Sequence, residues 1–411
     1  MSKYGSRDGN SGKSGWKDGR DRRDNDEPDG EIYVGRDGDD TFAGSDGDDT
    51  MVASAGNDSF SGGDGTDTAD YSALETAITV QSGGVVDKGA LGTDILGGFD
   101  VETGALEVIE VTIGAEGQRN LVDATSVVGA VNIEIDLETG VSTYTVLVPT
   151  GGFAVGDSFS QTLLNFVDVN GTNNDDVILG SGEGNLFGGS AGNDVFDGRG
   201  GIDTLDYAGL GAAVTLRADG EIDKGALGTD LILGMETIIG DAGETNTIDA
   251  TVTGPQSTAL IVSLELGTLM VEGVPGVGTL SFDVVNFVNV IGTASADTIG
   301  GDATDNRIAG AGGSDQLEGN GGDDAFVFQG DDTGVDTVAD FSDGDVLVLD
   351  GGFGAFSGTS LSFTDIVGAV GAGNEIVAGT DVISAEADAD GVSVLFNDVE
   401  FAILQGDDLI A

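Results

Sequence analysis

The sequence predicts an all-β solenoid, and three observations carry that reading. A nine-residue period of glycine and aspartate fills three tandem blocks, the segments between them alternate apolar and polar residues, and no stretch shows the 3.6-residue period of a helix. The expected order is a disordered polar tail (1–31), a repeat solenoid (32–327) with blocks at 35–70, 171–206 and 292–327, and a β-rich C-terminal cap (328–411).

The tail, MSKYGSRDGNSGKSGWKDGRDRRDNDEPDG, has no apolar h-region and is not a Sec-type signal peptide; its composition is that of a disordered segment. The chain of 411 residues carries 14 Lys and Arg against 74 Asp and Glu. Residues 1–36 hold eight of each sign, so the remaining 375 residues carry 66 acids and six bases. A body this acidic repels itself, nucleic acid and anionic lipid, so nucleic acid is not an expected partner. No run of 18 apolar residues occurs, and no membrane insertion is expected.

Residues 35–70 divide into GRDGDDTFA, GSDGDDTMV, ASAGNDSFS and GGDGTDTAD, and the other two blocks divide in the same way. The shared pattern is G-x-x-G-x-D-x-U-x, with U large and apolar everywhere except Ala69. Glycines let the first six residues turn tightly and point carbonyls inward, and the last three make a very short strand with one side chain facing in. One apolar residue in nine is a thin core, so a bound cation is the expected source of the missing stability. Each turn offers main-chain carbonyls and the carboxylate or amide at position six. The candidate metal ligands are therefore Asp40, Asp49, Asp58, Asp67, Asp176, Asn185, Asp194, Asp203, Asp297, Asn306, Asp315 and Asp324. Glycines that open the turns join them: Gly35, Gly44, Gly62, Gly189, Gly198, Gly310 and Gly319. The chain has no cysteine and no histidine, which excludes disulfides, zinc sites built on those residues and histidine bases. Hard oxygen donors remain, and they suit Ca²⁺ or Mg²⁺.

A coarser duplication encloses the blocks. DKGALGTD occurs identically at 87–94 and 223–230, and LLNFVDVNGT (163–172) returns as VVNFVNVIGT (284–293). Between blocks, Val131, Ile133, Ile135 and Leu137 alternate with polar residues, as Leu260, Val262, Leu264 and Leu266 do less cleanly. These segments read as wider β-coils that continue the solenoid, with loops near 149–158 and 253–258. An ion pair with Asp87 or Asp94 accounts for Lys88, and its counterpart for Lys224, more simply than a repeated ligand-binding loop does.

Catalytic signals are weak. GGSAG (188–192) fits a hydrolase elbow, but it lies inside a turn, and no histidine exists to activate Ser190. An HExxH metalloprotease helix is excluded for the same reason, and paired carboxylates cannot be singled out among so many acids. EADADGVSVLFN (386–397) echoes an EF-hand loop but has Glu first and Asn last, so an acidic turn before a strand is expected.

The twelve units resemble those of repeats-in-toxin (RTX) proteins, whose nonapeptides form a calcium-binding parallel β-roll. Two nonapeptides make one coil in that family, which implies that Asp40 faces Asp58, Asp49 faces Asp67, Asp176 faces Asp194, Asn185 faces Asp203, Asp297 faces Asp315 and Asn306 faces Asp324. Roughly six Ca²⁺ ions would follow. Position four is Gly throughout the first block (Gly38, Gly47, Gly56, Gly65), but Asn174, Glu183, Ser295 and Thr304 hold it in the looser units, and Ala53 replaces a first glycine. The neutral Asn185 and Asn306 imply the two weakest sites, and Asn185→Asp is expected to tighten one. The motifs Phe326-Val-Phe328, Asp336 to Phe341 and Gly344 to Leu349 resemble the segment that closes an RTX roll. Val392 to Ala411 resembles the C-terminal signal read by type I secretion machinery. The resemblance implies a secreted or cell-surface protein of a Gram-negative bacterium; a non-enzymatic one serving a surface layer (S-layer), matrix or biofilm is expected, and the strand edge at Ile32-Tyr33-Val34, which has no candidate cap, adds homo-assembly in Ca²⁺ to the expectation. The alternatives are an adhesin for cell-surface glycan and a carbohydrate-active enzyme on an RTX scaffold.

Overall fold

The computed structural model describes residues 30–97, 109–127, 131–147, 154–251, 259–274, 278–330, 333–353, 355, 357–362, 364–366, 376–378, 381–387, 391–397 and 399–405. Almost all of the expected tail, residues 149–153 and 253–258 of the expected loops, and the last six residues of the secretion-signal region lie outside them. Among the described residues no helix is long and apolar enough to cross a membrane.

Each nonapeptide supplies one three-residue strand, as in Thr41–Ala43, Thr50–Val52, Ser59–Ser61 and Thr68–Asp70. Successive strands alternate between two sheets, and strands 18 residues apart pair in parallel, Phe42 beside Phe60 and Met51 beside Ala69. Two nonapeptides therefore close one coil. The U side chains point into the narrow interior. Met51, Phe60, Ala69, Ile178, Phe187, Phe196, Leu205, Ile299, Ile308, Leu317 and Phe326 are buried, and only Phe42, near the N-terminal end, is half-buried. Burying one such side chain contributes about 1.5–3 kcal/mol. Ordering nine backbones costs about 1 kcal/mol or more each. Ladder hydrogen bonds and a bound cation must make up that difference.

The segments between blocks widen the coils with antiparallel meanders. The first comprises Thr79–Gln81, Val85–Asp87 and Thr93–Leu96, and the second Val131–Asp136, Val141–Val146 and Ser158–Leu164. The third comprises Thr215–Arg217, Glu221–Asp223 and Thr229–Leu233, and the fourth Ala259–Ser263, Thr268–Val274 and Gly278–Val285. The last strand of each meander continues the ladder of the coil before it, and the first strand continues into the coil after it. Thus Thr93–Leu96 pairs with Ser59–Ser61, and Thr79–Gln81 with Asn120–Asp123. Among the described residues both ladders stay unbroken, at 18 and 20 strands. Alternation reads correctly here: Val131, Ile133, Ile135, Leu260 and Val262 are buried, whereas Leu266 lies in the following turn and is exposed.

The duplicated octapeptides form matching strands and the short 3-10 turns Gly89–Leu91 and Gly225–Leu227. The first lies in the 20-stranded sheet and the second in the 18-stranded sheet, so the two copies stand half a coil out of step.

The ends differ. At the C-terminus Ala325–Phe328 pairs with Val346–Leu349, which Thr359–Ser362 covers antiparallel. Asp336–Val338 pairs with Val399–Leu404, followed outward by Val392–Phe396, Asp381–Ala387 and Ile376–Ala378. Edge-on contacts join Phe328, Phe353, Phe396 and Phe401 within this cap. At the N-terminus Ile32–Val34 and Thr41–Ala43 each pair on one side only among the described residues. Ile32 and Val34 are exposed there.

Candidate metal sites

The turns stack along both edges of the solenoid, and the position-six residues meet in the six expected pairs. The backbone N–H of Asp40 donates to Oδ1 of Asp58 at 2.9 Å, and that of Asp49 to Oδ1 of Asp67 at 2.8 Å. The same bond joins Asp176 to Asp194 (3.0 Å), Asn185 to Asp203 (2.7 Å), Asp297 to Asp315 (2.8 Å) and Asn306 to Asp324 (2.8 Å). One carboxylate oxygen thus fixes the stacking. The other is held by a neighbouring N–H in the opening turns, as in Ser45 N to Asp49 Oδ2 (2.5 Å) and Thr293 N to Asp297 Oδ2 (2.6 Å).

Main-chain carbonyls of the facing turns lie close to several of the repeat glycines. A Cβ on Gly44 would stand 1.7 Å from the Gly62 carbonyl oxygen, and one on Gly292 2.4 Å from that of Gly310. At position four, a Cβ on Gly56 would stand 2.3 Å from the Gly38 oxygen. First glycines also cover the carboxylate of their own turn: Gly62, Gly198, Gly310 and Gly319 would each set a Cβ within 2.5 Å of Oδ2 of Asp67, Asp203, Asp315 or Asp324. Gly35 and Gly189 are small for other reasons, the first against the Ser54 hydroxyl and the second against the Tyr207 ring.

This donor set fits a hard dication. Among the described residues no three acidic side chains converge on one point. Each gap has two position-six side chains, and the remaining donors are carbonyls, the oxygen-only mixture that Ca²⁺ takes. Asp203 Oδ2 and Asp315 Oδ2 are buried without a hydrogen-bond partner, which is costly unless something cationic meets them. Nor can the chain supply many cations of its own. Five of the six bases in the body are engaged in ion pairs: Lys88, Arg119, Arg199, Arg217 and Lys224.

Without a cation between the turns, burial pushes the Asp324 carboxyl up to about 6. Asp176, Asp203 and Asp297 are raised for the same reason. Asp194 and Asp315 rise through burial and then through the facing carboxylates of Asp230 and Asp336. A folded-state pKa above the unfolded value near 3.9 means that the fold binds extra protons, so its cation-free stability falls as pH rises through that window. In calcium-free buffer, β-sheet circular dichroism is therefore expected to be stronger at pH 5 than at pH 8. An equal or weaker signal at pH 5 would contradict the buried-carboxylate account.

The two asparagines serve a different purpose from the one expected. The Asn185 amide donates to the Val167 carbonyl at 2.7 Å, and the Asn306 amide to Val288 at 3.1 Å. Each begins its column against a coil that presents a carbonyl, and a carboxylate there would set oxygen against oxygen. The expectation that Asn185→Asp tightens binding is therefore reversed. The substitution should lower the stability of the calcium-loaded protein by about 1–3 kcal/mol, the cost of a buried acceptor left unpaired. Calorimetry showing tighter Ca²⁺ binding with an unchanged melting point would refute this.

Sequence reasoning missed the carboxylates that end each column. Asp58 N donates to Asp94 Oδ1 (3.0 Å), Asp67 N to Glu110 Oε2 (2.9 Å), Asp194 N to Asp230 Oδ1 (2.9 Å) and Asp203 N to Glu236 Oε2 (2.7 Å). Asp315 N donates to Asp336 Oδ1 (3.0 Å) and Asp324 N to Asp345 Oδ1 (2.9 Å). The identical octapeptides were the available signal for Asp94 and Asp230. Lys88 pairs with Asp94, not Asp87, and also with Asp58 at 3.3 Å.

A family model described as RTX calcium-binding nonapeptide repeat (4 copies) matches residues 34–69, 170–205 and 291–326. No curated protein matches the chain.

Proposed function

This chain is a calcium-binding protein of the RTX repeat family, and from that premise we propose that it is a secreted structural or interaction protein of a cell surface layer, extracellular matrix or biofilm. Type I export and folding on the calcium met outside the cell complete the proposal. One observation carries the structural role. Among the described residues the terminal strands of both ladders pair on one side only, Ile32–Val34 and Thr41–Ala43 at one end and Thr359–Ser362 and Ile376–Ala378 at the other, and at the N-terminal end Ile32 and Val34 are exposed. An uncapped solenoid end is a template for another copy, and bound dications remove the charge repulsion that would keep copies apart. A non-enzymatic role agrees with Ser190, whose hydroxyl donates to Asp194 Oδ2 at 3.3 Å within its own turn. Sedimentation in millimolar Ca²⁺ and in chelator, on the full chain and on a truncation beginning at Glu31, tests the assembly. Association that needs calcium and survives the truncation is expected. A monomer in calcium well above micromolar concentration would remove the mechanism. Probing intact cells before and after a chelator wash tests the location: protein released from the surface is expected, and protein found only inside cells would overturn the proposal.

A further inference from the structure

We infer that Lys88 and Lys224 are resident cations, each ammonium taking the place between two facing turns that the repeats otherwise offer to a calcium ion. The inference rests on the calcium reading of the repeat turns. Residues 91–96 reproduce positions three to eight of a nonapeptide. Gly56 N donates to Leu91 O at 2.8 Å, as Gly38 N does to Ala55 O one coil earlier. Gly92 stands over the Gly56 carbonyl, where a Cβ would come within 2.1 Å of the oxygen. Asp94 faces Asp58 with the same N–H to carboxylate bond as the six repeat pairs, and Thr93–Leu96 joins the ladder beside Ser59–Ser61.

What this turn lacks is the pair of residues that opens a nonapeptide. In their place the chain runs through Lys88 and the 3-10 turn Gly89–Leu91. The Lys88 side chain is fully buried, and its Nζ donates to the Ser54 carbonyl (2.7 Å), to Asp58 Oδ2 (3.3 Å) and to Asp94 Oδ1. One main-chain carbonyl and two facing carboxylates are the donors that a repeat gap presents to a metal. The second copy repeats the two carboxylate contacts, and there Tyr207 Oη also donates to Asp230 Oδ2 at 2.6 Å. Lys224 is equally buried and donates to Asp194 Oδ2 (3.2 Å) and Asp230 Oδ1, and Gly228 stands over the Gly192 carbonyl.

The third block supplies the internal comparison. Asp315 faces Asp336 as Asp58 faces Asp94, and Gly334 stands over the Gly313 carbonyl. No Lys or Arg follows Arg307 in the sequence, however, and Asp315 Oδ2 is buried without a partner. Two buried carboxylates need a positive charge near them whatever its source. The first two blocks carry one covalently, so those turns close at any calcium concentration, whereas the third depends on an ion from solution.

Counting bound calcium at saturation on the full chain, by equilibrium dialysis with folding checked by circular dichroism, tests this. Lys88→Ala opens the ammonium's space and is expected to bind one ion more than wild type, and the double variant with Lys224→Ala two more. Lys88→Met fills that space without charge and is expected to gain no ion and to melt lower. A folded Lys88→Ala protein with the wild-type count would overturn the inference. So would failure of Lys88→Ala to fold in millimolar Ca²⁺, since calcium then cannot stand in for the ammonium. A gain of an ion by Lys88→Met would place the new site elsewhere and overturn it too. Wild-type protein that takes up no calcium would instead remove the underlying calcium reading.

Discussion

In chelator the chain is expected to lose most of its β-sheet circular dichroism, and to recover it in millimolar Ca²⁺. The interior offers one apolar side chain per nonapeptide, and the turns bury carboxylates against one another along both edges. Extracellular calcium modules bind with constants of about 10⁻⁴ to 10⁻³ M. In millimolar Ca²⁺, about one to ten times such a constant, one site adds about 0.4–1.4 kcal/mol. Six sites would add roughly 2–8 kcal/mol, comparable to the whole stability of an ordinary domain at about 5–15 kcal/mol. Removing calcium therefore removes most of what holds the roll against its chain entropy. The third block should respond most steeply, because its closing turn has no lysine. Spectra that coincide with and without calcium would rule out calcium-linked folding.

Gly44→Ala is expected to be the most damaging single methyl group in the first block. The new Cβ would stand 1.7 Å from the Gly62 carbonyl oxygen and 2.4 Å from Asp49 Oδ2, two of the oxygens that face the gap. Neither can retreat without opening the ladder or turning away from the ion. A cost above about 4 kcal/mol in the calcium-loaded state is expected, together with the loss of one bound ion. Gly182→Ala is the control, because nothing lies within 4 Å of its Cβ position. It should stay within about 0.5 kcal/mol of wild type. Thermal melts and ion counts in millimolar Ca²⁺ check both, and equal effects of the two substitutions would refute the close-packed turn.

The repeat blocks were legible because their period fixes everything at once. Nine residues set the U side chain inward, and eighteen bring Asp40 to Asp58 and Asp49 to Asp67, as the structure shows. The column ends were not legible, because they leave the period. Asp94 lies 36 residues beyond Asp58, Glu110 43 beyond Asp67, and Asp336 21 beyond Asp315. Alternation in 131–136 announced a strand with one buried face but not its neighbours, and the meander pairs its last strand backward and its first strand forward along the chain. Asn185 was misread because its amide answers a carbonyl, Val167 O, whose direction depends on the fold of the preceding segment. A neutral residue among aspartates signals a changed partner as readily as a weakened ligand.

The half-coil offset between the duplicated octapeptides decides how the molecule can meet its surroundings. Had the 136-residue module spanned a whole number of coils, both copies would lie in one sheet and face one direction, like two fingers of a hand. They lie instead in opposite sheets. Whatever the outer surface of this coil touches, the second copy presents the same surface to the other side. Such an arrangement gains nothing from two sites on a single flat target, because both cannot reach it together.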